Sequence, residues 1–489
     1  MAADTALVAM KSNMLRQFAL GVLLSLLACI FPAVLHRIPG VVDSRLDLAM
    51  AAALNALDAH SSTQNTTQTT QFSSTDLLKS TGLPVFDTLF HPEQYHGPDS
   101  WTTSGSKEEG FFEGWYYKLT TASGEIFVAI PGIIYSKADP DGNGGFSFIM
   151  TVSPGGDGGG GKYHLYKFPL DSFSSSASAG DGTVSSSTWE VRIGANSFSS
   201  TSMTLNLEDT DTDPDTGHMQ THSVEGTVRL TSSQTWPLSA LLPDVMGWFA
   251  WLPGMECRHG IVSLSSALSG SLTATLTSSS GSGDSGTVTS SNSFSFEQGA
   301  QGYVEKDWGS NFPHTWVWMQ SNHFVAGAGS THGNNDNNII PGTIFFSIAT
   351  IPLPSEKVKL LEFTGFLAAL WLPEHGGLYR FATYTGAVVE SMAVNAAQSR
   401  VELVIRSAQH RVHITAAGTR EVAATLHAPT PGGHFLPLVK EMLDARLEVK
   451  LVDRATGSVV FEGVGLYAGL ELESIDPNGG RGEQFLKRG

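Results

Sequence analysis

Gly302-Tyr-Val-Glu-Lys-Asp-Trp-Gly-Ser-Asn-Phe-Pro-His-Thr-Trp-Val-Trp-Met-Gln-Ser-Asn-His-Phe324 is the stretch on which the reading of this chain turns. It packs three tryptophans, two carboxylates, three amides and two histidines into one short span. With the two-residue period of a strand, its second half places Trp316, Trp318, Gln320, Asn322 and Phe324 on one face. Thr315, Val317, Met319, Ser321 and His323 take the other. The first half places Tyr303, Glu305 and Asp307 on one side and Val304, Lys306 and Trp308 on the other. Gly309 to Pro313 reads as a connection, because proline cannot donate to a central ladder and Gly-Ser-Asn favours turns. The stretch predicts two strands, each an aromatic surface with a few polar groups set into it.

A face of indoles interrupted by amides suits a pocket for a large apolar ligand with one polar end. The plainer reading is a barrel or sandwich core whose Trp and Gln side chains satisfy each other. The crowding of Glu305, Asp307, Gln320 and Asn322 favours the pocket, since pure packing needs none of these groups and each is costly to bury unpaired.

The pattern around this stretch is all-β from Pro84 onward. Runs such as Trp115–Thr120, Glu125–Ile130, Ser147–Val152, Tyr163–Phe168 and Ser223–Leu230 are divided by Gly- and Ser-rich breaks. Ser172–Ser187, the acidic Asp209–Asp215 and Ser278–Ser293 read as surface loops. Trp236–Gly254 carries three prolines among large apolar residues and reads as a lid-like loop or short helix. Glu256–Val262 then reads as a strand holding His259. His434–Ala445 suggests a short helix. His410-x-x-His413 and His218-x-x-x-His222 lack a third ligand at a convincing spacing, so no metal is expected. No phosphate-cradling glycine motif or Gly-x-Ser-x-Gly elbow occurs.

Two motifs carry a resemblance. Glu305-Lys306-Asp307-Trp308-Gly309, Phe312-Pro313 and Trp316-Val317-Trp318-Met319-Gln320-Ser321-Asn322 resemble the tocopherol cyclase family, whose plant members carry Glu-Lys-Asn-Trp-Gly, Phe-Pro and Trp-x-Trp-x-Gln-x-Asn in this order. Phe111-Phe112-Glu113-Gly114-Trp115-Tyr116-Tyr117 is similar to the family's early Phe-Glu-Gly-Trp-Tyr signature, and the likeness runs with gaps from Pro84 to Leu472. Asp307 stands where the plant members have Asn. The resemblance implies two tandem lipocalin-like (calycin-like) antiparallel β-barrels, and a pocket near their junction. It also implies a prenylated hydroquinone substrate, or a similar apolar small molecule, whose ring hydroxyl adds across the first double bond of its tail. That addition involves no redox change, so no cofactor is expected.

Such chemistry needs an acid that keeps its proton near neutral pH, which burial among aromatics favours. The candidates for the acid are Asp307 and Glu305, with Glu113 third. Trp115, Trp308, Trp316 and Trp318 would line the pocket and shelter a developing cation. Gln320 and Asn322 would orient the head group, and His259 or Tyr116 would accept the phenolic proton. Each residue also has a structural alternative: Glu305 or Glu113 pairing with Lys306 or Arg258. Two other functions stay open, a lipocalin-like carrier without turnover and a related proton-driven hydratase or cyclase.

At 489 residues and a net charge of −18, the chain is ill suited to nucleic acid or anionic lipid surfaces. Its two cysteines, Cys29 and Cys257, exclude a disulfide framework. The uncharged apolar run Phe18–Leu35, flanked by Lys11, Arg16 and Arg37, has the length of a membrane span and predicts an uncleaved N-terminal anchor. No small-x-small cleavage site follows it. The expected location is the endomembrane or secretory system, with the plastid as the alternative. The expected organisation is an anchor region (1–36), a Ser/Thr/Gln-rich linker (37–82), a first barrel (83–298), a second barrel (299–476) and a tail (477–489).

Overall fold

The computed structural model describes residues 93–97, 110–152, 162–178, 188–213, 216–237, 244–251, 255–279, 287–326, 339–352, 362–420, 423–430 and 433–474. The apolar run Phe18–Leu35, the linker and the tail lie outside them. Among the described residues, no helix is long and apolar enough to cross a membrane.

These residues form antiparallel strands with short 3-10 turns. The first twelve strands are β1 (Phe111–Thr120), β2 (Ile126–Tyr135), β3 (Gly144–Val152), β4 (Lys162–Phe168), β5 (Phe173–Ser178), β6 (Thr188–Ile193), β7 (Asn196–Phe198), β8 (Ser202–Thr212), β9 (Met219–Gln234), β10 (Cys257–Ser279), β11 (Thr287–Phe296) and β12 (Gln301–Gly309). They make one nearly closed, barrel-like sheet in the order β4-β3-β2-β1-β12-β10-β9-β8-β7-β6-β5, with β11 beside β10. The second sheet holds β13 (Thr315–Ser321), β14 (Phe324–Ala326), β15 (Ile339–Ile340), β16 (Thr343–Pro352), β17 (Glu362–Leu372), β18 (Gly377–Ala382), β19 (Val388–Asn395), β20 (Arg400–Arg406), β21 (His410–Ala417), β22 (Ala424–Pro429), β23 (Phe435–Asp453) and β24 (Val459–Ser474). Its order is β18-β17-β16-β13-β24-β23-β21-β20-β19, with β22 beside β23 and the β14–β15 pair beside β24.

Three apolar cores follow from this layout. The first sheet wraps Trp115, Tyr117, Phe127, Leu205 and Val304, and the second wraps Val317, Met319, Phe346 and Leu470. A third core lies between the sheets, where Phe112, Tyr116, Phe148 and Tyr303 meet Trp316, Trp318, Phe345 and Leu426. The strands that serve two cores are therefore buried on both faces. β1 and β2 are almost wholly buried, whereas β20 alternates buried with exposed.

The chain leaves the first sheet at Gly309 and enters the second at Thr315. The strand Gln301–Gly309, expected in the second barrel from residue 299, is thus a central strand of the first. At the crossing, the amides of Ser310 and Asn311 both donate to the Glu256 carbonyl, at 2.9 and 3.1 Å. Gly309 has φ +149°, and a Cβ there would stand 2.1 Å from that same oxygen, so only glycine fits.

Other expectations are corrected. His434–Ala445 is not helical but lies largely in β23, because its alternating apolar residues pair with β22 and β24. The supposed loops at 172–187, 209–215 and 278–293 carry parts of β5, β8, β10 and β11, whose Ser and Thr residues extend the ladders without breaking them. Phe324 does not share the face of Trp318. The ladder breaks after Ser321, and Phe324 turns into the second barrel's core.

Candidate active site

Three neighbouring strands build the polar end of a cavity between the sheets. β12 lies between β1 and β10, and its register sets Glu305 opposite Tyr116 and Asp307 opposite both Gly114 and His259. Tyr116, Glu305, Asp307 and His259 all face the second sheet, while Gly114 leaves space beside Asp307. Across the gap β13 presents Trp316 and Trp318, and Phe112, Phe146, Phe148, Phe312 and Phe435 complete an aromatic wall. Met246 and Phe249, from the proline-rich segment before β10, line it as well. The cavity encloses about 190 Å³. That exceeds by more than tenfold the roughly 10–15 Å³ needed to seat one water, so it is a ligand-sized space and not a packing defect.

Glu305 Oε2 accepts hydrogen bonds from the Tyr303 hydroxyl at 2.5 Å and Trp318 Nε1 at 3.2 Å. His259 bridges the two acids: its Nδ1 lies 2.9 Å from Asp307 Oδ1, and its Nε2 lies 3.6 Å from Glu305 Oε2. The imidazole stacks on Phe345 of the second sheet, which fixes its plane. Burial is the largest influence on Glu305 and, with the nearby Asp307 charge, pushes its carboxyl up to about 7 despite the His259 cation. Burial alone would lower His259, but Asp307 and Glu305 outweigh it and raise the imidazole to about 9. Raised this far, the imidazole is set to donate to the two acids.

A second acidic group borders the first. Glu471, opposite Trp318 in the β13–β24 ladder, accepts from Trp316 Nε1 at 2.6 Å. Glu441, opposite Glu471 on β23, accepts from the Tyr116 hydroxyl at 2.5 Å. Burial holds both carboxyls well above the ordinary range, and for Glu471 the neighbouring Glu441 adds to it. Tyr116, raised well above its usual value by burial and by Glu441, likewise donates, to the Glu441 carboxyl.

The ligand atoms of His259, Glu305 and Asp307 lie within 4.8 Å of one another, close enough for a divalent metal. The imidazole, however, lies between the carboxylates, and Glu305 Oε2 already accepts from Tyr303 and Trp318. This is the geometry of a proton network.

Six residues singled out in the sequence meet at the cavity: Tyr116, His259, Glu305, Asp307, Trp316 and Trp318. Glu113, Trp115 and Trp308 do not. They occupy the opposite face of β1 and β12, where Glu113 takes the His96 amide at 2.9 Å and pairs with Lys306 at 3.4 Å. Lys306 Nζ there lies 4.9 Å from the Trp115 ring centroid and 4.6 Å from that of Trp308. Gln320 and Asn322 keep the face of Trp318 but lie away from the cavity wall. Gln320 Oε1 accepts from Lys118 Nζ at 2.9 Å, and Asn322 Oδ1 from Thr120 at 3.4 Å. Sequence reading missed Glu441, Glu471 and Lys118. Leu470-Glu471-Leu472-Glu473 alternates like a half-exposed strand, so nothing local marks Glu471 as buried.

A two-sheet antiparallel protein with proton-bearing acids in an aromatic cavity between the sheets is the class defined by this fold and site. The chain belongs to the tocopherol cyclase-like family, whose model matches residues 109–473. The probable tocopherol cyclase, chloroplastic, of Oryza sativa subsp. japonica is 27% identical over 183 residues, covering 37% of this chain and 34% of that protein. The tocopherol cyclase, chloroplastic, of Zea mays is 25% identical over 185 residues, with the same coverage of 37% and 34%. The chain thus spans about a third of the length of the curated relatives it matches. Among solved structures, the crystal structure of CghA aligns over 78% of this chain and 94% of that one, with a TM-score of 0.42 and 13% identity.

Proposed function

We propose that this chain closes a chromanol-type ring by acid-catalysed addition of a hydroquinone hydroxyl to the first double bond of a prenyl tail. One observation carries the reading: Glu305, a carboxyl that burial raises to about 7, stands at the end of an aromatic cavity with Tyr303, Trp318 and His259 placed to stabilise its negative charge once the proton leaves. Glu305 gives its proton to the less substituted alkene carbon, leaving a tertiary cation beside the Trp316 and Trp318 rings. The phenol oxygen forms the new C–O bond, and its proton passes to the Asp307 carboxylate. Asp307 then releases that proton to solvent at its partly exposed edge and Glu305 takes one up, with His259 a cation between them throughout, which restores the starting state. No proton or electron is consumed. Asp307 takes the accepting role because it is already committed to His259 and its side chain is 29% exposed, whereas the Glu305 side chain is 6% exposed.

Incubating the purified chain with a panel of prenylquinols tests this. A product isomeric with its substrate supports cyclisation. A product heavier by one water identifies a hydratase, and bound, unchanged quinol identifies a carrier. The relatives named as chloroplastic support the plastid as the compartment; recovery of the tagged full-length chain only in secretory membranes would reject it.

A further inference from the structure

The mouth of the first barrel carries a second constellation, far in sequence from the cavity residues. Along β8, Met203, Leu205 and Leu207 face the barrel core, and strand alternation carries Asp209 and Asp211 onto the same inward face. On β9, Leu207 pairs with Val224 and Asp209 with His222, so His222 also points inward. His164 arrives from β4, on the face of the core residue Tyr166. Where the alternation calls for apolar side chains, the rim instead holds two imidazoles and two carboxylates.

Three of these groups converge, and Asp209 sits beside His164. His164 Nε2 lies 2.9 Å from Asp209 Oδ2, His164 Nδ1 3.9 Å from Asp211 Oδ2, and His222 Nε2 3.4 Å from Asp211 Oδ1. The two imidazoles lie face to face with centroids 3.9 Å apart. His164, Asp211 and His222 each offer one ligand atom within 4.8 Å of the others, near the roughly 3.3–3.5 Å spacing that bonds of about 2.0–2.2 Å to zinc set in a tetrahedral site. We infer that His164, Asp211 and His222 bind one divalent transition-metal ion of the zinc class at the barrel mouth, with Asp209 on the second ring nitrogen of His164. Paired imidazoles select zinc, cobalt or nickel over calcium and magnesium. The half-exposed carboxylates, at 46% and 48%, give the ion its entry path. β4 is the terminal strand of its sheet and has no ladder with β8 or β9, so the ion would clasp the open seam of the barrel. Of the histidine pair noted in the sequence only His222 joins this group, and its partner imidazole, His164, comes from another strand.

The test uses the full chain, stripped with EDTA and titrated calorimetrically with zinc chloride, with cobalt chloride read by its visible ligand-field bands. The expected result is one zinc per chain, a raised unfolding temperature, and binding weakened by more than about 100-fold in His222→Ala and in Asp211→Asn. Loss of a supporting group alone would give only about 10–100-fold. Asp211→Asn is nearly isosteric and keeps the test valid should the histidine variant fold poorly. Asp307→Asn should bind zinc like the unmodified chain. Absence of stoichiometric binding, its survival in both rim variants, or its loss in Asp307→Asn would each overturn the assignment.

Discussion

Glu305 and Asp307 are two residues apart on one strand and share one imidazole, yet their surroundings separate their roles. Glu305→Gln keeps the shape and removes the proton, so product formation should fall by roughly two to four orders of magnitude while quinol binding and thermal melting stay near normal. Asp307→Asn should fold normally and retain part of its activity, since it introduces the Asn of the plant motif and, at this partly exposed position, solvent can take the phenolic proton in place of the carboxylate. Equal, full activity in both would remove this cluster from the chemistry. The pH profile has a definite sign. Glu305 must be protonated to act, and its carboxyl is raised to about 7, so turnover should decline as pH rises through that value. A rate that climbs from pH 6 to pH 8 would contradict the assignment.

At the scale of the element, the hinge between the sheets matters most. Gly309 carries β12 out of the first sheet against the Glu256 carbonyl, and no side chain fits there. Gly309→Ala should cost about 1–3 kcal/mol through backbone strain alone, read as a lowered denaturant midpoint. Because Asp307 and Trp308 lie immediately before this hinge, quinol affinity should drop with stability. A variant as stable as the unmodified chain would show that the crossing relaxes freely.

For the whole molecule, the buried acids predict how stability follows pH. Glu305, Glu441 and Glu471 hold protons in the folded chain that the unfolded chain releases near the ordinary carboxylate value. Between those values the folded chain binds more protons, so their contribution is present at low pH and is lost as pH rises through the raised values. His259, raised to about 9, has the same sign: its contribution is full below the ordinary histidine value and is lost through 9. Lys118 and Lys306, lowered by burial to about 7 and 8, act in the opposite sense only above those values. The unfolding temperature should therefore fall between pH 5 and pH 7. Glu441→Gln should flatten that slope, on the order of 1.4 kcal/mol for each unit by which the carboxyl is displaced. An unchanged slope would mean that Glu441 does not hold its proton.

By itself the sequence determined that 302–324 holds two strands and that each carries a polar-aromatic face, and it singled out Tyr116, His259, Glu305, Asp307, Trp316 and Trp318 among its candidate site residues. Those features are local: a period of two, a Gly-Ser-Asn-Phe-Pro break, and motifs too rich in tryptophan to arise by chance. Only the tertiary structure decided which face of β1 and β12 looks into the cavity. Both faces of these strands are apolar and buried, so Glu113, Trp115 and Trp308 read as well as their neighbours until the second sheet packed on one side. The same packing buried Glu471, which alternates with leucines as if toward water, and Glu441, which follows Lys440 in the chain, beside the cavity, where their carboxyls are raised. Alternation along a strand is set by the backbone, but what each face meets is set by contacts distant in sequence. For the same reason His164 gained Asp209 and His222 as neighbours only once β4 came to lie against β8.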